Sequence, residues 1–178
     1  MRQIEKVAAK LDKFIVLTKS DKKDWEPFVP NVTSIYNPLT FKSEEVAALD
    51  NEKCIAIGRL ESQKNFRDLV AAWKYVAEEY PDWVLEIYGN GSLKESLQKQ
   101  ITSLGLDLQV RLMGSSSDIR SKMLESSCLV MSSAYEGFPM VLLEAVETGL
   151  PMVSYDCPKG PAEIIIDGKS GYLVKPGD

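Results

Sequence analysis

The chain has 178 residues, the size of one domain with a full hydrophobic core, and carries 21 basic and 26 acidic side chains for a net charge of −5. The acidic balance argues against a dedicated nucleic-acid-binding protein, and no apolar run reaches the ~18 residues that span a bilayer. Because the chain has no histidine, a Ser-His-Asp triad, a Cys-His pair and histidine metal sites are excluded within it.

Three cysteines, Cys54, Cys128 and Cys157, lie in or beside apolar segments. They are odd in number and lack CxxC spacing, which predicts reduced, mostly buried thiols. No signal peptide is recognisable at the start, so we expect a cytoplasmic protein.

The first third of the chain predicts a small α/β segment and a linker. A charged helix is expected over 2–12, a strand over 14–18, a short helix over 20–26 and extended chain over 32–36. Residues 39–53 are expected to form a linker with one short helical turn.

From residue 54 onward, short strands and amphipathic helices alternate. Strands are predicted at 54–58, 83–89, 110–114, 128–133, 151–156 and 171–174. Helices are predicted at 66–80, 93–104, 118–126 and 139–148. The strands are apolar on both faces, which is typical of buried parallel strands. The alternation predicts a doubly wound, Rossmann-like α/β fold, a mostly parallel sheet with helices on both faces.

Two helices carry more detailed predictions. In the first, one apolar stripe runs from Phe66 to Tyr80. In the second, Ser92 and Glu95 have the spacing of a capping box.

The loop after the first strand of the alternating region combines a glycine with two cations. Gly58 allows a close backbone turn, while Arg59 and Lys64 suit a diphosphate. A solvated basic loop explains the same residues equally well. Since ligands of such sheets bind beyond the carboxyl ends of the strands, this loop lies at the expected edge.

Glu136 and Glu144 stand eight positions apart around a predicted helix start. Pro139 is expected as the first helical residue, and the free N–H groups that follow can hold a phosphate. Carboxylates flanking a phosphate site suit the hydroxyls of a nucleotide-sugar. The alternative interpretation is that Glu136 is a solvated loop residue and Glu144 a surface residue of the helix.

Two glycine motifs fail on inspection. Gly89-Asn90-Gly91 lacks the third glycine of a dinucleotide fingerprint, because Lys94 occupies that position. Gly168-Lys169-Ser170 lacks the first glycine of a P-loop, because Glu163 stands there. Glu163 is expected either to bond backbone near the site or to be a surface residue.

Taken in order, the motifs resemble the C-terminal domain of the retaining GT-B glycosyltransferases of family 4, the glycosyl transferases group 1. The matching segments are GRLESQKNFRDLV, LEIYGNGSLKESL, VRLMGSSSDI, SSAYEGFPMVLLEAVETGLPMVSYD and GPAEIIIDGKSGYLV. The resemblance implies one half of a GT-B architecture. Residues 1–33 would be the tail of an acceptor domain and the interdomain connection, and residues 34–178 a nucleotide-sugar donor-binding domain that stops before the family's closing helices.

The resemblance also implies roles for individual residues. Arg59 and Lys64 would act on the donor diphosphate, Glu136 near the sugar hydroxyls, and Glu144 on the ribose, with the first three counted as catalytic. The remaining donor-binding positions are those where backbone or small side chains would approach the donor: Gly58, Gly114, Ser115, Ser116, Gly137, Phe138, Pro139, Met140, Val141 and Leu142.

The function implied is transfer of a sugar from a nucleoside-diphosphate sugar to an acceptor hydroxyl with retention, without a bound metal. The segment DCPKGPAEII is similar to enzymes of surface polysaccharide or glycolipid synthesis. An acceptor glycan or lipid-linked glycan would bind through the missing N-terminal domain, with the parent peripheral at the inner membrane face. This chain alone is expected to be inactive.

Three alternatives remain beside this interpretation. A non-catalytic module could bind nucleotides or nucleotide-sugars. An NAD-type oxidoreductase is disfavoured by the broken glycine fingerprint. An epimerase or phosphorylase could share the two-domain architecture, although no pyridoxal-binding lysine site is recognisable.

Overall fold

The structure is a computed structural model that describes residues 2–178. Its helices are α1 (Arg2–Ala8), α2 (Lys19–Trp25), α3 (Phe66–Glu79), α4 (Lys94–Ser103), α5 (Ile119–Leu124), α6 (Met140–Glu147) and α7 (Pro161–Ile164). Its strands are β1 (Phe14–Val16), β2 (Val32–Ser34), β3 (Lys53–Ile57), β4 (Val84–Tyr88), β5 (Val110–Gly114), β6 (Cys128–Met131), β7 (Met152–Tyr155) and β8 (Gly171–Val174). A 3₁₀ turn, Ser62–Lys64, precedes α3.

Six strands form one parallel sheet in the order β5-β4-β3-β6-β7-β8. This confirms the predicted doubly wound α/β fold. The chain builds outward from β3 in one direction and then returns to add β6 on the other side, where Cys54 pairs with Cys128. The strand order therefore reverses between β3 and β6, which is where ligands of this class of fold bind.

The sheet separates two hydrophobic cores because successive strand residues point to opposite faces. On β3, Cys54 and Ala56 face the core beneath α3 and α4, whereas Ile55 faces the core beneath α5 and α6. The first core is centred on Val70, Trp73, Leu85, Leu97 and Ile101, and the second on Met123, Leu129, Leu142 and Met152. Each fully buried Leu or Ile contributes on the order of 1.5–3 kcal/mol, so both faces anchor the loops that form the site.

A small N-terminal unit lies outside this sheet. β1 and β2 pair in parallel, with Phe14 opposite Val32, and cover a core of Ala8, Val16, Val29 and Val32. α1 ends at Ala8, four residues before the predicted end. The proposed division at residue 33 stays a prediction.

The linker expectation was wrong in one respect, since residues 39–52 contain no helical turn. The chain is instead irregular and is bonded to the C-terminal end of α6. The Ala47 N–H donates to the Thr148 carbonyl (2.8 Å), and the Ser43 N–H donates to the Glu147 carboxylate (2.9 Å). Two long-range bonds replace the local bond that a helical turn would have made.

The capping box at α4 was also wrong. α4 begins at Lys94 with Leu93 as its N-cap and no side-chain capping bond. Ser92 is engaged elsewhere: its N–H and hydroxyl both donate to the Glu61 carboxylate, at 2.8 and 2.7 Å. These two bonds lower the pKa of Glu61, and the bond from the Ser92 N–H has the larger effect. A charged acceptor from the β3–α3 loop thus outcompetes the local cap.

Other sequence predictions need smaller corrections. Tyr80, assigned to the buried stripe of α3, is 53% exposed because it follows the last helical residue. The sequence did not predict α7 or the 3₁₀ turn. The cysteines are free thiols, as predicted, with Cys54 and Cys157 buried and Cys128 half-buried.

Candidate functional site

The candidate site lies at the strand-order reversal, where the loops after β3 and β6 meet. Three hydrogen bonds join them. The Ala134 N–H donates to the Gln63 carbonyl (2.8 Å), the Gln63 side-chain amide donates to the Tyr135 carbonyl (3.0 Å), and the Ser132 hydroxyl donates to the Lys64 carbonyl (2.9 Å). These three bonds fix the 3₁₀ turn against the β6–α6 loop.

Lys64 and Glu136 form an ion pair at the centre of this junction. The Lys64 Nζ lies 2.5 Å from Glu136 Oε1, and their side chains are 17% and 9% exposed. The sequence predicted both residues at one site, and the structure brings them together, although their roles remain predictions. The pair holds a cation and a carboxylate, each suited to a different part of a nucleotide-sugar, in one position.

Gly58 explains how Lys64 reaches this position. A Cβ atom at residue 58 would lie 2.9 Å from Lys64 Cε and 3.0 Å from its Cδ and Cγ. The Lys64 side chain thus lies across the backbone of Gly58. A larger residue there would push the ammonium away from Glu136.

Arg59, the other predicted cation, is exposed at the mouth of the site. Its guanidinium makes one long contact of 3.5 Å, to Gln63 Oε1. Gln63 thus contacts Arg59 and the β6–α6 loop at once. Sequence reasoning missed Gln63, because a glutamine between two basic residues carries no local signal.

The start of α6 differs by one residue from the prediction. Pro139 is the N-cap and Met140 the first helical residue. The Leu142 N–H is already bonded to the Pro139 carbonyl at 3.0 Å. The predicted phosphate donors are thus reduced to Met140 and Val141, whose N–H groups have no intrahelical acceptor at a helix start.

The turn before α6 has an open residue and a buried one. A Cβ atom at Gly137 would meet no atom within 4 Å, so packing does not require glycine there. Phe138 is 8% exposed, and its ring stacks on Tyr36, with ring centroids 5.3 Å apart. Its predicted role in donor binding stays a prediction.

Glu144 lies on a second groove beside the ion pair. Its carboxylate accepts a hydrogen bond from the Thr40 hydroxyl (2.6 Å), a contact that the sequence did not predict. It lines a groove of 350 Å³ together with Phe41, Ile57 and Ile119. Such a half-buried carboxylate on an open groove is suited to accept hydroxyl donors from a ligand.

Ile57 and Ile119 also line a neighbouring groove of 310 Å³ formed by the ends of β3, β4 and β5. Gly58, Asn90, Ser115 and Ser116 complete its wall. The Asn90 side-chain amide donates to the Ser115 hydroxyl (2.8 Å). Ser115 and Ser116, two of the predicted donor-binding residues, thus line a groove adjoining that of Glu144. The carbonyl of Gly114, the donor-binding position before them, accepts the Gly89 N–H at 2.8 Å.

Gly89 has a packing role in this groove. Its φ is 144°, and a Cβ atom there would lie 1.9 Å from the Gly58 carbonyl oxygen. The glycine allows β3 and β4 to end side by side. This explains why a GxG sequence occurs here without a dinucleotide fingerprint.

Cys157 lies close to the ion pair but is buried. Burial, and next the negative charge of Glu136, raise the pKa of its thiol to about 11. The thiol is therefore protonated near neutral pH and is a poor nucleophile. A larger cavity of 460 Å³ lies between α3 and the sheet, away from these residues, and its lining, which includes Trp73 and Trp83, is almost entirely apolar.

Two negative findings apply to residues 2–178. This range contains no group of three or more Cys, Asp or Glu side chains that could hold a metal ion. None of its helices is long and apolar enough to cross a membrane.

Comparison with known proteins identifies the family. Residues 40–178 match the family described as glycosyl transferases group 1. The chain is 33% identical over 167 residues to an uncharacterised glycosyltransferase of Haemophilus influenzae, covering 92% of this chain and 47% of that protein. It is 36% identical over 172 residues to the amylovoran biosynthesis glycosyltransferase AmsD of Erwinia amylovora, covering 92% and 48%.

A solved structure agrees with these sequence matches. The fold superposes with a TM-score of 0.91 and 26% identity on a mutant of S. aureus TarM in complex with fondaparinux, α-GlcNAc-glycerol and UDP, covering 99% of this chain and 36% of that one. The chain thus spans about half the length of the curated relatives it matches. With a family match over more than two thirds of its residues and the strand order of a GT-B half, the chain belongs to the glycosyl transferases group 1 family.

Proposed function

We propose that this chain binds the nucleotide-sugar donor of a retaining glycosyltransferase, which moves a sugar from a nucleoside diphosphate to an acceptor hydroxyl. The observation that carries the proposal is the Lys64–Glu136 pair, held at the strand-order reversal between the start of α6 and the groove of Glu144. The TarM complex contains UDP, which supports UDP as the donor nucleotide of this chain. The similarity to AmsD supports a role in surface polysaccharide synthesis.

The diphosphate would bind where positive charge and free N–H groups converge. Lys64 and the exposed guanidinium of Arg59 flank one side, and the N–H groups of Met140 and Val141 lie at the start of α6. As the bond to the sugar breaks, negative charge grows on the leaving diphosphate. Cations and N–H groups already in place stabilise that charge more than they stabilise the bound donor, which lowers the barrier. In this scheme the protein supplies the charge that a metal ion supplies in other transferases.

Glu136 would accept hydrogen bonds from the sugar hydroxyls and stabilise positive charge at the anomeric carbon. Its ion pair with Lys64 orients the carboxylate but also neutralises it, so we do not assign it as a covalent nucleophile. Glu144 would accept the ribose hydroxyls and exchange its bond to Thr40 for them. The base would then lie in the adjoining groove of Asn90 and Ser115.

The acceptor would be bound by a second domain of the kind that the family resemblance implies. Without one, the donor sugar faces water instead of an acceptor hydroxyl. We therefore expect this chain to bind donor but not to transfer sugar at a measurable rate.

Calorimetric titration of this chain with UDP and a panel of UDP-sugars tests the proposal. Replacing Arg59 by Ala should weaken UDP by about 1.5–3 kcal/mol, the range for hydrogen bonds to charged groups. Glu144→Gln should weaken UDP and UDP-sugar by the same factor, because ribose is common to both. Glu95→Gln, an exposed change on α4, is the matched control. Wild-type UDP affinity in both site variants would place the nucleotide elsewhere.

A further inference from the structure

The segment of residues 158–163, which runs from the loop after β7 into α7, touches both the N-terminal unit and the turn that precedes α6. On one side, the Glu163 carboxylate accepts the N–H groups of Lys19 (2.9 Å) and Ser20 (2.8 Å), the first two residues of α2. Thr18 accepts the next free N–H of that helix, from Asp21, at 2.9 Å. The start of α2 is thus capped in part by a side chain more than 140 residues away.

Ion pairs of Lys159 strengthen the contact between the 158–163 segment and α2. The Lys159 ammonium lies 3.2 Å from Asp21 Oδ1 and also pairs with Asp24, both on α2. Lys159 adopts a left-handed backbone conformation, with φ of 72°. Two side chains of the 158–163 segment, one acidic and one basic, therefore hold α2 at its start and along its length.

On its other side, the 158–163 segment holds the turn of residues 136–139. The Glu136 N–H donates to the Pro158 carbonyl at 3.3 Å. Gly160 has φ of 98°, and a Cβ atom there would lie 2.3 Å from Pro139 Cδ. Only a glycine can bring this backbone so close to Pro139.

Tyr36 completes the connection. Its hydroxyl donates to Glu163 Oε2 at 3.0 Å, and its ring stacks on Phe138 with an interplanar angle of 23°. One carboxylate therefore holds both the start of α2 and the ring that packs on the turn. Although burial by itself would raise it, the pKa of Glu163 is lowered by the bonds from Lys19, Ser20 and Tyr36.

We propose that Tyr36 and Glu163 are positioning residues for the donor sugar, which hold the turn of Glu136 to Pro139 in register with α2. The inference rests on the proposed function, because that turn is where the sugar would bind. Neither side chain needs to touch the donor. The diphosphate would depend on Arg59, Lys64 and the start of α6, so the effect should fall on the sugar alone. A displacement of α2 would then be felt at the sugar through this connection.

The test compares the affinity of UDP with that of a UDP-sugar in the same variants of this chain. The probes are UDP, UDP-glucose, UDP-galactose and UDP-N-acetylglucosamine, and the variants are Tyr36→Leu, Tyr36→Phe and Glu163→Gln. Tyr36→Leu should weaken the preferred UDP-sugar by about two- to tenfold, the range of one aromatic pair, and leave UDP within about twofold. Tyr36→Phe keeps the stacking and should recover most of the loss.

A double-mutant cycle separates positioning from general destabilisation. Tyr36→Phe removes the hydrogen bond to residue 163, and Glu163→Gln removes the charge of its acceptor, so their effects on UDP-sugar affinity should be less than additive. Tyr75→Leu is the matched control, since Tyr75 is 74% exposed on α3. Thermal unfolding checks that each variant folds. If Tyr36→Leu does not fold, Glu163→Gln replaces it, and it should weaken the UDP-sugar while leaving UDP within about twofold.

The outcomes separate the two proposals. If the unaltered chain binds neither UDP nor any UDP-sugar, the proposed function fails and the positioning role with it. If the unaltered chain binds both ligands but Tyr36→Leu binds the UDP-sugar normally, only the positioning role is overturned. Equal losses for UDP and UDP-sugar would also overturn it, because they would indicate a general structural role.

Discussion

Replacing Glu136 by Gln should strengthen the binding of UDP but lower the affinity of a UDP-sugar relative to that of UDP. Glu136 holds the Lys64 ammonium at 2.5 Å, in a pair in which the Lys64 and Glu136 side chains are 17% and 9% exposed. A diphosphate must share or take over that ammonium. The carboxylate also repels the phosphate charges. Glutamine has nearly the same shape but no charge, so it releases Lys64 and removes the repulsion.

The size of the effect follows from the pair. A hydrogen bond to a charged group contributes about 1.5–3 kcal/mol, but an ammonium has three donors and need not give up all its contact with Glu136. We expect a net gain for UDP of about 1 kcal/mol, or roughly fivefold. The UDP-sugar should instead lose affinity relative to UDP, because a neutral amide is a weaker acceptor for the sugar hydroxyls.

Calorimetry with UDP and the preferred UDP-sugar, each at low and high salt, measures both effects. The gain for UDP should shrink at high salt, because part of it is removed repulsion. Lys64→Met is the informative partner, since in that background Glu136→Gln should no longer improve UDP binding by releasing the ammonium. Weaker UDP binding by Glu136→Gln alone would refute the claim that the ion pair competes with the diphosphate.

Two further predictions concern stability. Gly89→Ala should lower the free energy of unfolding by roughly 2–4 kcal/mol more than Gly105→Ala does. Both glycines have positive φ, but a Cβ at residue 89 would also lie 1.9 Å from a carbonyl oxygen. Equal urea midpoints for the two variants would contradict this reasoning. The pKa of Glu163 in the folded protein is lowered from its ordinary value of 4.5, so its contribution to stability should be present above about pH 4.5 and lost as the pH falls through the folded value. Glu163→Gln should therefore make the free energy of unfolding fall less steeply with acid. An unchanged fall would show that the carboxylate does not contribute.

The repetition of apolar strands and amphipathic helices was enough to predict the sheet and its parallel direction. The six predicted strands exist, with ends shifted by at most two residues. This succeeded because strand and helix periods are local properties of sequence. Arg59, Lys64, Glu136 and Glu144 could be singled out from the sequence because each lies in a motif that resembles the family; their roles stay predictions.

Strand order was not readable from local pattern, because nothing near Cys54 indicates that it pairs with Cys128. That pairing depends on how the two cores close on either face of the sheet. The capping box at Ser92 failed for a related reason, since Glu61 arrives from another loop and offers a stronger, charged acceptor. A local helix cap contributes a few tenths to about 1 kcal/mol of stability, and one hydrogen bond to a charged group from a distant loop contributes more.

The connections between distant segments belong to the tertiary structure alone. Gln63, Thr40, Tyr36 and Glu163 each bond a residue more than 70 positions away, and their neighbours in sequence do not indicate the partner. The sequence by itself determined which chemical groups reach the edge of the sheet, because periodicity and loop position are written locally. Which of those groups pair in the ligand-free protein, as Lys64 does with Glu136, was decided by folding, because it depends on loop positions that both hydrophobic cores fix together.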